Sequence, residues 1–324
     1  RRIILEAHMD TVSAAGMAVA PFSPMVRDGR LYGRGACDTK AGLAAMAQAL
    51  VDRAASRRPP PCDVWLAAVV DEEHAYRGVI AVCEGFTADA AVVAEPTSLR
   101  IVTATKGVVR FQVRVDGRAA HSSQPELGRN AILGAARIAL AFDDHHRSLG
   151  TRRHPLLGAA TGSIGMIHGG VQVNIVPETC MLAIDRRLLP GETPQAAVAE
   201  YQQVIDSLTA ADPALRAAIV SPLLLVDEPL DTPVDAPLTR AAAAVATEQG
   251  LDPVAVGVPY GSDASKLSQH GVESIVFGPG SIDQAHAADE FVPIAEVEHA
   301  LAFIGGIIER FGAGAAAKAG NRRQ

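Results

Sequence analysis

Val64-Trp65-Leu66-Ala67-Ala68-Val69-Val70-Asp71-Glu72-Glu73 is the stretch from which the fold is read. A short apolar run bounded by charge predicts a strand buried on both faces, as in a sheet covered by helices on both sides. The carboxylates of Asp71, Glu72 and Glu73 then fall at that strand's C-terminal end. They cannot all be ionised at low cost without a cation nearby. Polar residues close similar runs elsewhere: His8-Met9-Asp10 follows Ile3-Ile4-Leu5, and Glu95 follows Val92-Val93. Asp38 follows a Gly-rich turn and His286 lies near the end of the chain. The pattern suggests a hydrolase built around metal ions.

Outward from this stretch, strand-like and helical patterns alternate. Ile3–Ala7 predicts a strand and Ala41–Ala55 a helix with Leu43, Met46, Ala47 and Leu50 on one stripe. Val64–Val70 follows as a strand, Val79–Cys83 as helical and Ala90–Ala94 as a strand. Such alternation predicts an α/β fold with a mainly parallel sheet. The texture changes near Gly107. Val108–Val115 alternates apolar and polar residues, the mark of a strand with one wet face. Helix Arg129–Phe142, strands Thr161–Ile167, Val171–Val176 and Cys180–Leu188, helix Pro194–Thr209 and strand Ala217–Val226 complete a β-α-β-β-α-β order. That order predicts a small ferredoxin-like α+β domain with an antiparallel sheet. The first texture returns with helix Leu238–Glu248, strand Val254–Val256, helix Asp263–His270, strand Ser274–Phe277 and helix Ala295–Phe311. The expected organisation is therefore a discontinuous catalytic domain, 1–106 and 227–324, interrupted by an inserted domain, 107–226. Arg57–Pro61 reads as a loop and Gly312–Gln324 as a frayed tail.

The totals exclude other classes. The chain of 324 residues is 48% hydrophobic and 20% charged, with a formal net charge of -7, which fits a globular protein rather than a disordered one. Lys and Arg are scattered, so nucleic acid is not the expected partner. No apolar run reaches membrane-spanning length, and no charged-then-apolar leader is present, so the expectation is a cytoplasmic protein without a membrane partner. Cys37, Cys62, Cys83 and Cys180 form no C-x-x-C pair, and free thiols in a reducing compartment are expected. The chain opens on Arg1-Arg2-Ile3-Ile4 without Met, which reads as a trimmed or partial start.

Taken singly, each chemical signal has an ordinary reading. His8 and Asp10 lie two apart at a strand end and point to the same side. They are either a satisfied histidine with a capping aspartate, or a metal-bound imidazole with the carboxylate that holds its other N–H or itself serves as a ligand. Gly33-Arg34-Gly35-Ala36-Cys37-Asp38-Thr39-Lys40 resembles a phosphate cradle only loosely. The third glycine of G-x-G-x-x-G falls on Asp38, and the Walker spacing is missing. A carboxylate there suits a hard cation or a helix cap. Adjacent Glu72 and Glu73 point in different directions, so one can bind metal while the other moves protons. Pro96 stops a strand and leaves Glu95 at the rim where ligands gather in open α/β sheets. Around His286, Gly278, Pro279 and Gly280 permit close backbone approach. Jointly, carboxylate oxygens and imidazole nitrogens without cysteine suit Zn²⁺, Co²⁺ or Mn²⁺, and there are enough for two ions sharing one ligand. No G-x-S-x-G and no H-E-x-x-H string occurs, which disfavours a serine hydrolase and a zincin.

As an ordered set, these motifs resemble the M20 metallopeptidase and amidohydrolase family. The resemblance runs from residue 3 to about residue 311. It is carried by His8-Met9-Asp10-Thr11-Val12, Gly33–Gly42, Asp71-Glu72-Glu73, Glu95-Pro96-Thr97 and Gly117–Ser123. Asn174-Ile175-Val176-Pro177, Asp185–Gly191, Gly261-Ser262-Asp263-Ala264 and His286–Glu290 complete the set. It implies two divalent ions, one held by His8, Asp38 and Glu95 and the other by Asp38, Glu73 and His286. Asp10 would orient His8, and Glu72 would be general base and acid. His121 would polarise the scissile carbonyl, reaching it from a partner subunit's inserted domain in a homodimer. Asn174 and Arg187 would bind a substrate carboxylate, and Gly261 and Ser262 would line the pocket. The implied reaction is hydrolysis of an N-acyl amino acid, nearest the acetylornithine deacetylase and succinyl-diaminopimelate desuccinylase branch. A dipeptidase or carboxypeptidase on the same site is the first alternative, and an inactive metal-binding interaction protein the second. Family members carry a leading helix and strand before the His-x-Asp strand, and this sequence begins at that strand.

Overall fold

The computed structural model describes residues 1–56 and 61–320, and from 312 to 320 the course of the backbone alone. In chain order the main elements are β1 (Arg2–His8), α1 (Ala41–Ala55), β2 (Asp63–Val69), α2 (Arg77–Gly85), β3 (Ala90–Val93) and β4 (Val102–Thr105). The insert supplies β5 (Gly107–Asp116), α3 (Ala131–Leu149), β6 (Thr161–Gly169), β7 (Thr179–Leu188), α4 (Pro194–Ala211), β8 (Arg216–Ile219) and β9 (Leu225–Asp227). The chain then returns with β10 (Leu230–Asp231), α5 (Pro237–Glu248), β11 (Val256–Val258), α6 (Ala264–Gln269), β12 (Glu273–Val276) and α7 (Ile294–Gly320). Two compact units result: Arg1–Thr105, Leu230–Val258 and Ser262–Gln324 form one, and Lys106–Pro229 with Pro259–Gly261 the other.

The first unit is built on a mixed sheet of order β10-β4-β12-β3-β1-β2, with β11 beside β4. The central ladders β2-β1, β1-β3 and β3-β12 are parallel. Burial on both faces follows the two-residue period of the strands. Ile3, Leu5, Ala7, Val92 and Ile275 pack with Met46 of α1, Leu238 of α5 and Phe303 and Ile307 of α7. Ile4, Ala91, Val93 and Val276 turn the other way, against Val79 of α2 and Ala264 and Leu267 of α6. Phe277 and Phe303 stack with centroids 3.7 Å apart. A small antiparallel sheet of Met25–Arg27, Arg30–Tyr32 and Phe291–Pro293 completes this unit.

The second unit has an antiparallel sheet of order β6-β7-β5-β8, with β9 also on β5, and α3 and α4 packed against it. Val109, Phe111, Val113 and Val115 of β5 alternate inward and meet Leu182 and Ile184 of β7, Ile138 and Phe142 of α3, and Tyr201 and Ile205 of α4. Arg186 takes the core-facing place after Cys180, Leu182 and Ile184, fully buried, and is neutralised by Glu192 at 2.6 Å. The fold class expected from the motifs and their resemblance is therefore present: a mainly parallel α/β unit with an inserted antiparallel α+β unit.

Several local expectations are corrected. The decisive run Val64–Val70 is an edge strand, not a doubly buried one. It pairs only with β1, and its Trp65 is half exposed over Phe86 and near the Arg2 guanidinium. Val171–Val176 is not a strand, because Gly170 turns the chain at φ +79 and Val171 and Val173 stand in solvent. Ala217–Val226 divides into β8 and β9 around Pro222, which cannot donate to a ladder. Val102–Thr105, too short and mixed to stand out, is a buried strand. The stretch taken as a frayed tail continues α7 to Gly320, as its Ala-rich composition allows, and 321–324 lie outside the described residues. Of the loop Arg57–Pro61, residues 57–60 also lie outside them.

One close approach aligns α1 with the sheet. A Cβ placed on Gly42 would lie 2.6 Å from the Cβ of Ala94, the residue before Glu95. Neither a helix start nor a strand end can yield cheaply, so Gly42→Ala is expected to destabilise the protein by about 1–3 kcal/mol. A lowered midpoint in urea unfolding checks this.

Candidate metal centre

The proposed ligands arrive at the carboxyl edge of the parallel ladders. His8 ends β1, Glu95 lies just beyond β3, and Glu72 and Glu73 follow β2. His286 lies in the loop after β12, and Asp38 in the irregular turn before α1. In open α/β sheets a crevice forms at this edge where neighbouring strands send their connections to opposite faces. Gly278 belongs to the same construction: a Cβ there would meet the Glu95 carbonyl oxygen at 2.5 Å.

Two groups of ligand atoms converge, each within 4.8 Å: His8, Asp38 and Glu95 in one, Asp38, Glu73 and His286 in the other. Asp38 is common to both. Its Oδ1 lies 2.9 Å from His8 Nε2 and its Oδ2 3.1 Å from His286 Nε2. The same His286 nitrogen is 3.1 Å from Glu73 Oε1. Donors about 2.0–2.1 Å from a tetrahedral ion lie about 3.3–3.4 Å apart, so separations of this order suit shared coordination. His8 Nδ1 donates to the backbone carbonyl of Asp10 at 3.1 Å, which leaves Nε2 facing Asp38. The Asp10 carboxylate stands 3.6 Å from Nδ1 and instead accepts from the backbone N–H groups of Glu72, at 3.4 Å, and Glu73, at 3.2 Å. Asp10 thus ties the His8 strand end to the Glu72-Glu73 loop. Asp71 stays apart from the cluster: it takes both Arg77 nitrogens, at 2.7 and 2.9 Å, and turns the chain at φ +72.

The charges are out of balance. Burial, then the charges of Glu72, Asp38, Asp263 and Glu6, raises the carboxyl of Glu95 well above its usual range. Burial and Asp263 do the same to Glu72, against the pull of His8. Burial and Asp38 raise Glu73, opposed by His286. For Asp38, burial would raise the carboxyl, but hydrogen bonds from His286 and His8 hold it below the ordinary value. Burial works against charge on His8, yet Asp38, Glu72 and Asp10 lift it to about 9. The Asp38 hydrogen bond leads in lifting His286 to about 9 despite its partial burial. Protons thus sit where divalent cations would relieve the same repulsion, and the hard O/N donor set fits such ions.

The substrate-side candidates divide between the two units. In the second unit His121 is exposed, with Nδ1 2.7 Å from Ser123 Oγ, and pairs by backbone with Ile175 beside Asn174. Arg187 is held by Asp185, Nε to Oδ1 at 2.8 Å. Gly261 belongs to the second unit and Ser262, fully buried, to the first. Buried acids without an assigned role in the sequence reading also lie here. Glu6 interrupts an apolar strand, Asp263 opens α6, and Glu290 closes the motif begun by His286. For Glu6 the signal was available: a lone carboxylate between Leu5 and Ala7 in a buried strand has to face something polar.

Comparison with known proteins gives the family. The chain matches the family described as Peptidase family M20/M25/M40 over residues 4–310. It is 32% identical over 292 residues to an acetylornithine deacetylase of Myxococcus xanthus, covering 88% of this chain and 73% of that protein. It is 29% identical over 330 residues to a probable carboxypeptidase of Aspergillus clavatus, covering 92% and 72%. Its fold superposes on the aminopeptidase PepT of Bacillus cereus with a TM-score of 0.79 at 25% identity, covering 96% of this chain and 80% of that one. The chain belongs to the M20/M25/M40 peptidase family. It is a metallohydrolase of the class that cleaves amide or peptide bonds. No helix among the described residues is long and apolar enough to cross a membrane.

Because Asp38 alone is common to both groups, Asp38→Asn is expected to abolish stoichiometric binding of both ions. Glu95→Gln and His286→Ala should each weaken one first. Metal content per chain after dialysis checks this. Zn²⁺ must displace protons held with a pKa of about 9 on His8 and His286, so its apparent affinity should rise as pH approaches about 9. Competition with a chelating dye across pH measures it, and a flat profile contradicts the charge argument.

Proposed function

We propose that this chain removes the acyl group from N-acyl amino acids, using two divalent ions, Zn²⁺ first among them and Co²⁺ or Mn²⁺ as substitutes. The observation that carries the reading is the pair of ligand groups sharing Asp38, in a chain 32% identical to an acetylornithine deacetylase. In this reading His8, Asp38 and Glu95 hold one ion, and Asp38, Glu73 and His286 the other. The chemistry that such ions supply is Lewis-acid activation of water and of an amide carbonyl.

The rest falls to side chains of this protein. Glu72 is the proton carrier: it accepts a proton from the attacking water and returns it to the departing amine. It belongs to neither ligand group, adjoins Glu73 in sequence and feels the charges of His8, Glu73 and Asp38, and its elevated pKa suits it to both directions of transfer. Asp10 positions it through the Glu72 amide. His121 polarises the scissile carbonyl, and Asn174 and Arg187 receive the substrate carboxylate, a group that a fixed guanidinium fork suits. Gly261 and Ser262 line the pocket. The inserted unit pairs two chains into a homodimer.

A second reading, peptidase rather than deacylase, is favoured by the carboxypeptidase and aminopeptidase among the similar proteins. The two share an amide and a carboxylate and differ in what flanks them. Metal-free protein reloaded with Zn²⁺ or Co²⁺ and offered N-acetyl amino acids, N-succinyl amino acids and dipeptides separates them. Preference for the acyl substrates is expected, preference for dipeptides selects the second reading, and no turnover of any overturns both. Glu72→Gln should lower kcat by about 10²–10⁴-fold while leaving metal content unchanged. Retained turnover would remove Glu72 from its role.

A further inference from the structure

Glu290 is buried without being a member of either ligand group. Its Oε2 accepts from Arg34 Nη1 at 2.6 Å and from the Gly35 N–H at 3.1 Å. Its Oε1 accepts from the N–H groups of Cys37 at 2.9 Å and Asp38 at 3.0 Å. A carboxylate offers about four lone-pair directions, so these donors occupy its acceptor capacity and leave none for a metal ion. Three of the four donors are backbone groups of the turn that carries Asp38. The Lys40 N–H closes the turn onto the Gly35 carbonyl at 3.0 Å, but the backbone leaves helical geometry at Asp38, with φ -115 and ψ 94.

Glu290 is itself anchored. Its carbonyl accepts from the Gly33 N–H at 3.1 Å, and the next residue, Phe291, pairs with Tyr32 in the small antiparallel sheet. His286 lies four residues earlier on the same segment. One short segment thus delivers a ligand and holds the loop of the shared ligand.

We infer that Glu290 is the positioning residue of the metal centre: its carboxylate grips the Gly35–Asp38 backbone so that Asp38 directs one oxygen to each ligand group. The inference rests on the two-ion reading above and adds to it a residue that touches neither ion nor substrate. Glu290→Gln keeps the shape but replaces one acceptor oxygen with an NH₂ that must face existing donors. The turn loses half its grip, and Asp38 is no longer held to both groups.

The test uses the full chain, reloaded with Zn²⁺ or Co²⁺. Wild type should bind two ions per chain. Glu290→Gln should bind at least one of them about 10–100-fold more weakly, with an altered Co²⁺ visible spectrum. Arg34→Met removes the cation but leaves all three backbone donors on the carboxylate, so its metal affinity should stay near that of wild type even if its thermal midpoint falls. A residue that served only to bury Arg34 would give the two variants the same metal affinity, and that result overturns the inference. So does a Glu290→Gln protein with wild-type affinity and spectrum. Wild type that takes up no ion overturns the two-ion reading itself, a distinct outcome. If Glu290→Gln does not fold, hydrogen exchange on metal-free wild type decides: the Gly35, Cys37 and Asp38 amides should be protected, and free exchange there overturns the inference.

Discussion

Repulsion among buried carboxylates at one edge of the parallel sheet is the constraint on which the rest of this structure depends. Asp263 raises Glu6, Glu72 and Glu95, Asp38 raises Glu72 and Glu95, and burial adds to the cost of charging Glu6, Asp38, Glu72 and Glu95. Only His8 and His286 stand against them among the ligand groups, and both are drawn towards the protonated form. Such a cluster costs stability unless positive charge arrives with it. In the same unit Ile3, Leu5, Val92, Ile275 and Phe303 pack into one apolar cluster.

The fold makes the cluster possible because parallel strands deliver their ends together. Residue 8 of β1, the loop after β2 and the residue just beyond β3 are far apart in sequence, yet the register His8 with Val69 and Glu6 with Val93 sets them side by side. Ladder hydrogen bonds hold the strands, and the helices on both faces bury the central strands β1 and β3 on either side. The ligand field is thus a consequence of topology: any sequence with this register places these positions together, and the residue types then decide whether the rim binds a cation.

Much of this could be read from the chain, for physical reasons that also explain where reading stopped. Alternation in Val108–Val115 and the apolar stripe of Ala41–Ala55 are local signals, and the elements appear close to where periodicity puts them. Val64–Val70 misled because an apolar run does not reveal how many neighbours its strand has, and Trp65 packs on Phe86 while half exposed. Val171–Val176 misled because β-branched residues favour strands only when something packs on them. The convergence of His8, Asp38, Glu95, Glu73 and His286 was legible through residue type and strand-end position together with family resemblance. The second task of Asp10 was not. Spacing pointed Asp10 at His8, which its carbonyl meets at 3.1 Å and its carboxylate at 3.6 Å, but not at the two amides across the loop that the carboxylate also holds. Hydrogen bonds from side chain to distant backbone leave no periodic trace.

That difference separates the candidate ligands into two mechanical kinds. His8 ends a ladder and Glu95 follows one, so strand pairing largely fixes their backbones. Asp38, Glu73 and His286 stand on irregular segments, where each residue retains the freedom that regular hydrogen bonding would remove. The structure supplies the missing bonds from carboxylates that take no part in either ligand group. Asp10 accepts the amides of Glu72 and Glu73, and Glu290 those of Gly35, Cys37 and Asp38. Acid residues therefore do two jobs at this rim. Some present oxygen to the centre, and others, fully engaged with N–H donors, hold the loops on which those oxygens ride. The second kind costs less, because its oxygens are already partnered by N–H donors and, for Glu290, by the Arg34 guanidinium. At this rim, part of the acid is thus partnered by the protein's own donors, apart from the two ligand groups.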